Sequence, residues 1–259
     1  FKTPDAVGVY NAALPLASLL SMSLSSMSFV YIPVITQLYS KNLIGELKRS
    51  YVILTKWIFL LTLPIFLVLF LFPDVVLNLL FGSRYIGASV ALQILALGFF
   101  LNICLGFTYN TLLVLGKSNF LMWTFVISAV INVILNAVLI PPMGIFGAAI
   151  ASATSLIVAK ILNLIKLYRF FEVHPFAKNY LKITGLLVMF LFVFYILRSL
   201  VIMSFWMFMA LILLFLVAYG SSMLFTKSID EEDIMILLTI EKRLGINLVS
   251  IKRILKRFV

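Results

Sequence analysis

The sequence predicts an all-α polytopic membrane protein: seven transmembrane helices followed by a basic amphipathic tail. Three observations carry that prediction. Of the 259 residues, 64% are hydrophobic and only 11% are charged, with a mean hydropathy of +1.19. Soluble domains lie nearer half apolar and a quarter charged. Seven stretches reach the length of about 20 mostly apolar residues that a helix needs to cross a hydrocarbon core. Finally, the 20 Lys and Arg residues fall mainly on one side of those alternating stretches.

The same figures exclude several classes. A water-soluble globule, a disordered chain and a collagen-like fibre do not fit this hydropathy, and Cys104 alone cannot build a disulfide scaffold. The ten-residue alternation of an outer-membrane barrel is absent. Helices satisfy every backbone group internally, so a helical bundle follows. The first residues, with Asp5, do not have the order of a cleavable signal peptide. Phe1 in place of methionine reads as the start of a piece of a longer chain.

The spans are expected at 9–37, 51–72, 86–108, 119–140, 145–168, 181–200 and 204–225. The first is long and contains Pro15 and Pro33, which remove backbone hydrogen bonds and favour a bend. Pro64 lies inside the second. Pro141 and Pro142 end the fourth, and the turn from Pro141 to Gly144 joins the fourth and fifth as an antiparallel pair. Beyond Lys227, Ser228 and Glu231 form a capping box and Gly245 stops that helix. A last helix then sets Leu248, Ile251, Leu255 and Phe258 against Lys252, Arg253, Lys256 and Arg257, the pattern of a helix lying on an anionic membrane surface.

Seven spans put the ends on opposite sides. One side collects Lys41, Lys48, Arg49, Lys117, Lys166, Arg169, Lys178, Lys182 and the basic residues of the tail; the other has Lys2, Arg84 and Arg198. The amino end is therefore expected outside and the carboxyl end in the cytoplasm. The net charge of +11 is explained by membrane lipids with anionic headgroups. Nucleic acid is not an expected partner, because the 24 phenylalanines lie within apolar runs rather than between basic residues.

Catalysis has little to stand on. His174 is the only histidine, no cluster of metal-ligating residues joins it, and Cys104 is expected mid-span without a basic partner, packed as a small apolar residue. No enzyme activity, metal or cofactor is expected. Polar residues inside spans are costly and so point to function. Ser18, Ser21, Ser25 and Ser28 share a face of the first span, with Asn11 one heptad earlier. Spacing alone leaves two readings open: a cavity lining that meets hydroxyl-rich cargo, or small residues that let helices pack closely. Thr124, Ser128, Asn132 and Asn136 recur every fourth residue and favour bracing of a neighbouring helix. Gly144, Ala148 and Ser152, with Gly147 and Ala151, read as a close helix contact. Lys56, near a span end, is expected to snorkel to the interface. Lys160 lies about 12 Å inside its span, near Asn163, where its charge could hold a phosphate in a wet cavity. Arg84 reads as an interfacial anchor with Tyr85.

Several segments together resemble a known family. They run from Val7-Gly8-Val9-Tyr10-Asn11-Ala12-Ala13 to Pro33 and Gln37-Leu38-Tyr39, then Lys56-Trp57, Leu63-Pro64 and Phe81-Gly82-Ser83-Arg84-Tyr85. They end with Ile131-Asn132-Val133-Ile134-Leu135-Asn136, Leu139-Ile140-Pro141 and Gly144 to Ala151. The series is similar to the carboxyl-terminal half of Wzx-type polysaccharide flippases, in the superfamily of the multidrug antiporters (MATE/MOP). The resemblance implies that 1–170 form the carboxyl-terminal lobe of such a transporter, five spans with the preceding helix missing. Residues 171–226 would add two transmembrane helices and 227–259 a cytoplasmic tail. It implies translocation of a polyprenyl-phosphate-linked oligosaccharide across the cytoplasmic membrane by alternating access, with a coupling ion and the missing amino-terminal lobe as partners. It also makes the serine face the expected cargo surface. An ion-coupled drug antiporter of the same superfamily and a seven-helix receptor or structural protein are the alternatives.

Overall fold

The computed structural model describes residues 4–172 together with 213–215, 217 and 219. The expected span at 181–200, most of that at 204–225, the tail at 227–259, His174 and Lys2 lie outside the described residues. The chain divides into two compact units, Phe1–Pro175 and Phe176–Val259. In the second, the described positions are helical and the rings of Phe215 and Tyr219 lie 5.9 Å apart, one turn from each other.

The first unit is built from apolar runs that leave a chain in lipid no option but helix, because each backbone group must be bonded within the segment. Helix α1 spans Pro4–Ser40, α2 Ile44–Leu71 and α3 Pro73–Phe81. A 3₁₀ turn at Ser83–Ala88 leads into α4, Ser89–Cys104; α5 covers Thr108–Val114, α6 Ser118–Met143 and α7 Ile145–Phe171. Among the described residues all regular structure is helical. Five segments are long and apolar enough to cross a membrane: Val7–Ser40, Ile44–Leu71, Ser83–Cys104, Ser118–Met143 and Ile145–Phe171.

Four departures from the sequence expectations matter. Helix α1 continues through both Pro15 and Pro33, and its 37 residues extend to roughly 55 Å, well beyond a bilayer core. Helix α2 begins at Ile44 rather than 51. Residues 73–85, between the expected second and third spans, fold into α3 and the start of the 3₁₀ turn, with Pro73 at the first position of α3, where its missing N–H costs nothing. The third span, expected unbroken to 108, stops at Cys104 and resumes as α5 after Leu105–Phe107.

Helices α1, α2 and α4 pack together, and α7 lies across α4. Phe66 stacks on Phe100 with centroids 4.1 Å apart, and Phe59 tilts against the same ring at 5.3 Å, tying α2 to α4. The amide of Gln93 adds a hydrogen bond to the carbonyl of Phe70 at 2.8 Å. Helices α6 and α7 form a hairpin whose turn is Gly144 alone (φ 60), tighter than the expected four-residue turn because Pro141 and Pro142 remain inside α6. The small residues then let backbones touch. A Cβ added at Gly147 would overlap the Leu139 carbonyl across the hairpin, and one at Gly98 would lie 2.5 Å from Cβ of Ala153, so α4 and α7 meet at closest approach there.

The polar row of α6 braces α7. Ser128 donates to the Ser155 carbonyl at 2.8 Å, Asn132 to the Ser155 hydroxyl at 3.2 Å, and Asn136 to Asn132 at 2.9 Å. Most of the remaining α6 surface is exposed and apolar.

Candidate functional site

The serine face of α1 is what remains after that helix has packed. Ala12, Ala13, Leu16, Ala17, Leu20, Tyr31 and Ile35 form its buried side. Asn11 and Ser25 are exposed and Ser18, Ser21 and Ser28 half-buried, so these residues lie away from the centre of the packed side. Spacing dictates this: steps of three and four residues keep one side chain set on one face. Three hydroxyls bond their own helix. Ser18 donates to the Pro15 carbonyl at 2.7 Å, Ser25 to Ser21 at 3.1 Å and Ser28 to Leu24 at 2.7 Å. Ser28 also accepts from the Asn110 amide at 2.6 Å, which joins the flank of the face to α5. Among the described residues, this flank is where a serine of the face bonds another helix.

Lys160 belongs to a different place. It is 5% exposed, and its Nζ donates to the Gly106 carbonyl at 2.5 Å. Gly106 sits in the break between α4 and α5 with φ +70, a conformation that disfavours any residue with a Cβ, and an added Cβ would overlap the Thr55 side chain of α2. The break frees carbonyls that in hydrocarbon must find partners. Two of them do: Tyr51 of α2 donates to the Leu105 carbonyl at 3.0 Å, and Lys160 of α7 takes that of Gly106. On the other side Phe107 stacks on Tyr31 with centroids 4.2 Å apart, while the hydroxyls of Tyr31 and Thr111 share a 2.6 Å bond. Helices α1, α2 and α7 thus hold the break from three directions. Two buried atoms beside it have no hydrogen-bond partner, Thr108 Oγ1 and Asn163 Oδ1.

The structure does not bring Lys160 together with the serine face; they belong to separate clusters, one buried and one open. Two other lysine and cysteine expectations also change. Cys104, at the end of α4, lies within electrostatic range of Lys160, a neighbour supplied by tertiary contact that its own span could not reveal. Lys56 is buried at 4% exposure rather than at the interface. Sequence reasoning did not identify Gly106 as the partner of Lys160, nor Tyr51, Thr55 and Thr108 around the break. The available signal was a lone glycine inside an apolar run, which marks a backbone need.

Among the described residues no group of three or more His, Cys, Asp or Glu could hold a metal ion. Glu46 and Asp74 stand in the first turns of α2 and α3, and Glu172 just past α7.

Comparison with known proteins agrees with the membrane character. The chain is 29% identical over 180 residues, 69% of its length, to an uncharacterized membrane protein of Methanocaldococcus jannaschii, of which that covers 35%. It is 31% identical over 166 residues, 63% of its length, to a Haloferax volcanii protein named "Probable low-salt glycan biosynthesis flippase Agl15", of which that covers 34%. The chain thus spans about a third of the length of these curated relatives. No solved structure matches. The MatE family model matches residues 3–138, more than half of the chain and from α1 through most of α6. A set of membrane-length helices and a family match running through four of them lead to one conclusion: the chain belongs to the MatE family.

Proposed function

We propose that this chain is the carboxyl-terminal lobe of a Wzx-type flippase. The whole protein moves a polyprenyl-phosphate-linked oligosaccharide from the cytoplasmic to the outer leaflet by alternating access. The observation that carries the reading is the open face of α1. Asn11, Ser18, Ser21 and Ser25 give a membrane-length helix a polar side that the described helices leave at least partly uncovered. A polar strip in a span is costly unless it meets water, cargo or another protein surface. A second lobe facing it would enclose a passage for the sugar while the lipid tail stays outside. The family match and the flippase-named relative support the same activity.

In this reading residue 1 is outside and the carboxyl terminus lies in the cytoplasm of a cell-membrane protein. An ion gradient or the membrane potential drives the cycle, and no chemical step is catalysed. Lys160 is the cation for the lipid phosphate, and to reach it the ammonium must exchange the Gly106 carbonyl for a phosphate oxygen. A cargo that is an anion suits a lobe whose acids Glu46, Asp74 and Glu172 stand at helix ends rather than mid-span.

The test uses the full-length protein in membrane vesicles. Single cysteines at positions 18, 21 and 25 should react with an aqueous thiol reagent in at least one conformer, whereas cysteines at buried Ala13 and Ala17 stay silent. Silence of the three serine positions under every condition would refute the cavity. Lys160→Ala should lower export of lipid-linked glycan, and normal export would end its phosphate role.

A further inference from the structure

The alternation of the spans brings the start of α6 and the end of α7 to one end of the hairpin. There two lysines share an aromatic ring. Lys117 Nζ lies 4.4 Å from the ring centroid of Phe170. Lys166 Nζ lies 5.4 Å from the same centroid and 5.1 Å from that of Phe120. The two ammoniums are therefore within about 10 Å of each other, close enough to repel. Exposed Arg169 adds a third positive charge in the last turn of α7. Among the described residues neither lysine makes an ion pair.

Ring faces offset part of this charge. Among the described residues they leave the ammonium protons without a carboxylate acceptor. The amides of Ser118, Asn119 and Phe120 precede the first intrahelical bond of α6, from Leu121 to the Lys117 carbonyl, so the positive end of a long helix opens at the same place. Directly below Phe120, at helical spacing, Trp123, Ile127, Val130 and Ile134 form an exposed apolar strip along α6.

A cationic pair above an apolar strip matches one kind of molecule. We propose that Lys117 and Lys166 hold the phosphate headgroup of an anionic membrane phospholipid, whose acyl chains lie along Trp123, Ile127 and Ile134. The site is separate from the serine face and does not rest on the flippase reading, so glycan export is not its readout.

The experiment is a titration of the purified full-length protein in detergent with phosphatidylglycerol, phosphatidylcholine or inorganic phosphate. Bound lipid is counted by native mass spectrometry and the thermal midpoint is recorded. Phosphatidylglycerol should bind and stabilise, and the other two should not. Each of Lys117→Gln and Lys166→Gln should weaken phosphatidylglycerol binding about fivefold and the double variant about 30-fold, while Lys117→Arg with Lys166→Arg retains it. Unchanged binding in the double glutamine variant would overturn the site. If that variant fails to fold, the single variants decide on the same criterion. Stabilisation by inorganic phosphate equal to that by phosphatidylglycerol would also overturn it, in favour of a site for free phosphate.

Discussion

The ammonium of Lys160 and the carbonyl of Gly106, 54 positions apart, are joined by a hydrogen bond inside the first unit. The bond fastens the middle of α7 to a stretch where the chain leaves helical geometry at membrane depth. Such a stretch is tolerated only where protein covers it or a wet cavity receives it.

Removing the ammonium sets two opposing effects. The Gly106 carbonyl loses its donor, at a cost of about 1–3 kcal/mol. A charge facing only a neutral partner also disappears, and its desolvation costs several kcal/mol. The second effect is larger, so Lys160→Met should melt at or above the wild-type temperature. Its glycan export should nonetheless fall about tenfold or more, the value of one charge-assisted bond to phosphate. A midpoint lowered by several degrees would show that the orphaned carbonyl dominates.

Gly106→Ala should destabilise by about 2–4 kcal/mol, combining a left-handed conformation with overlap on a packed side chain. Thr55→Ala in the same chain should restore only the overlap part, because the strain at φ +70 remains. Thermal denaturation of the two variants checks the split; full restoration would mean that conformation costs nothing there.

The close approaches rank the other glycines. At Gly147 an added Cβ meets the backbone of Leu139, which has no rotamer to escape through, whereas at Gly45 it meets open space. Gly147→Ala should therefore lower the melting temperature, by an amount typical of overpacking, about 1–3 kcal/mol. Gly45→Ala, in the first turn of α2, should raise stability by about 0.5–1 kcal/mol. Equal responses would contradict the tight hairpin.

Asn132 and Ser155 link α6 to α7 by one hydrogen bond. A double-mutant cycle with Asn132→Ala and Ser155→Ala should give a coupling of about 0.6 kcal/mol, the ordinary value for such bonds in membranes. No measurable coupling would mean that this bond adds nothing to the bracing, leaving it to Ser128 and the Ser155 carbonyl.

Much of the described fold was legible from its residues. Hydropathy located the five described spans because lipid demands about 20 apolar residues from each, and four-residue spacing pointed Ser128 and Asn132 at a neighbour that proved to be α7. The break at Leu105–Phe107 was only faintly legible: Gly106 is a breaker, but Gly98 in the same apolar run stays helical and no proline marks the stop. Lys160 stood out by its depth, but its partner could not, because a carbonyl becomes available only when a distant helix breaks. The start of α2 was misplaced: Ile44 to Ser50 carries Glu46, Lys48 and Arg49, which hydropathy reads as loop and the chain winds as helix.

The inward-bonded hydroxyls of α1 have a consequence for anything that touches them. With their protons already given to the carbonyls of Pro15 and Ser21, Ser18 and Ser25 present lone pairs rather than free O–H donors. In the proposed flippase, a visiting sugar would hand its own protons to this strip without first breaking the bonds beneath. Each contact would form and let go at small expense, and the strip would serve as a slide whose grip is too faint to trap its passenger.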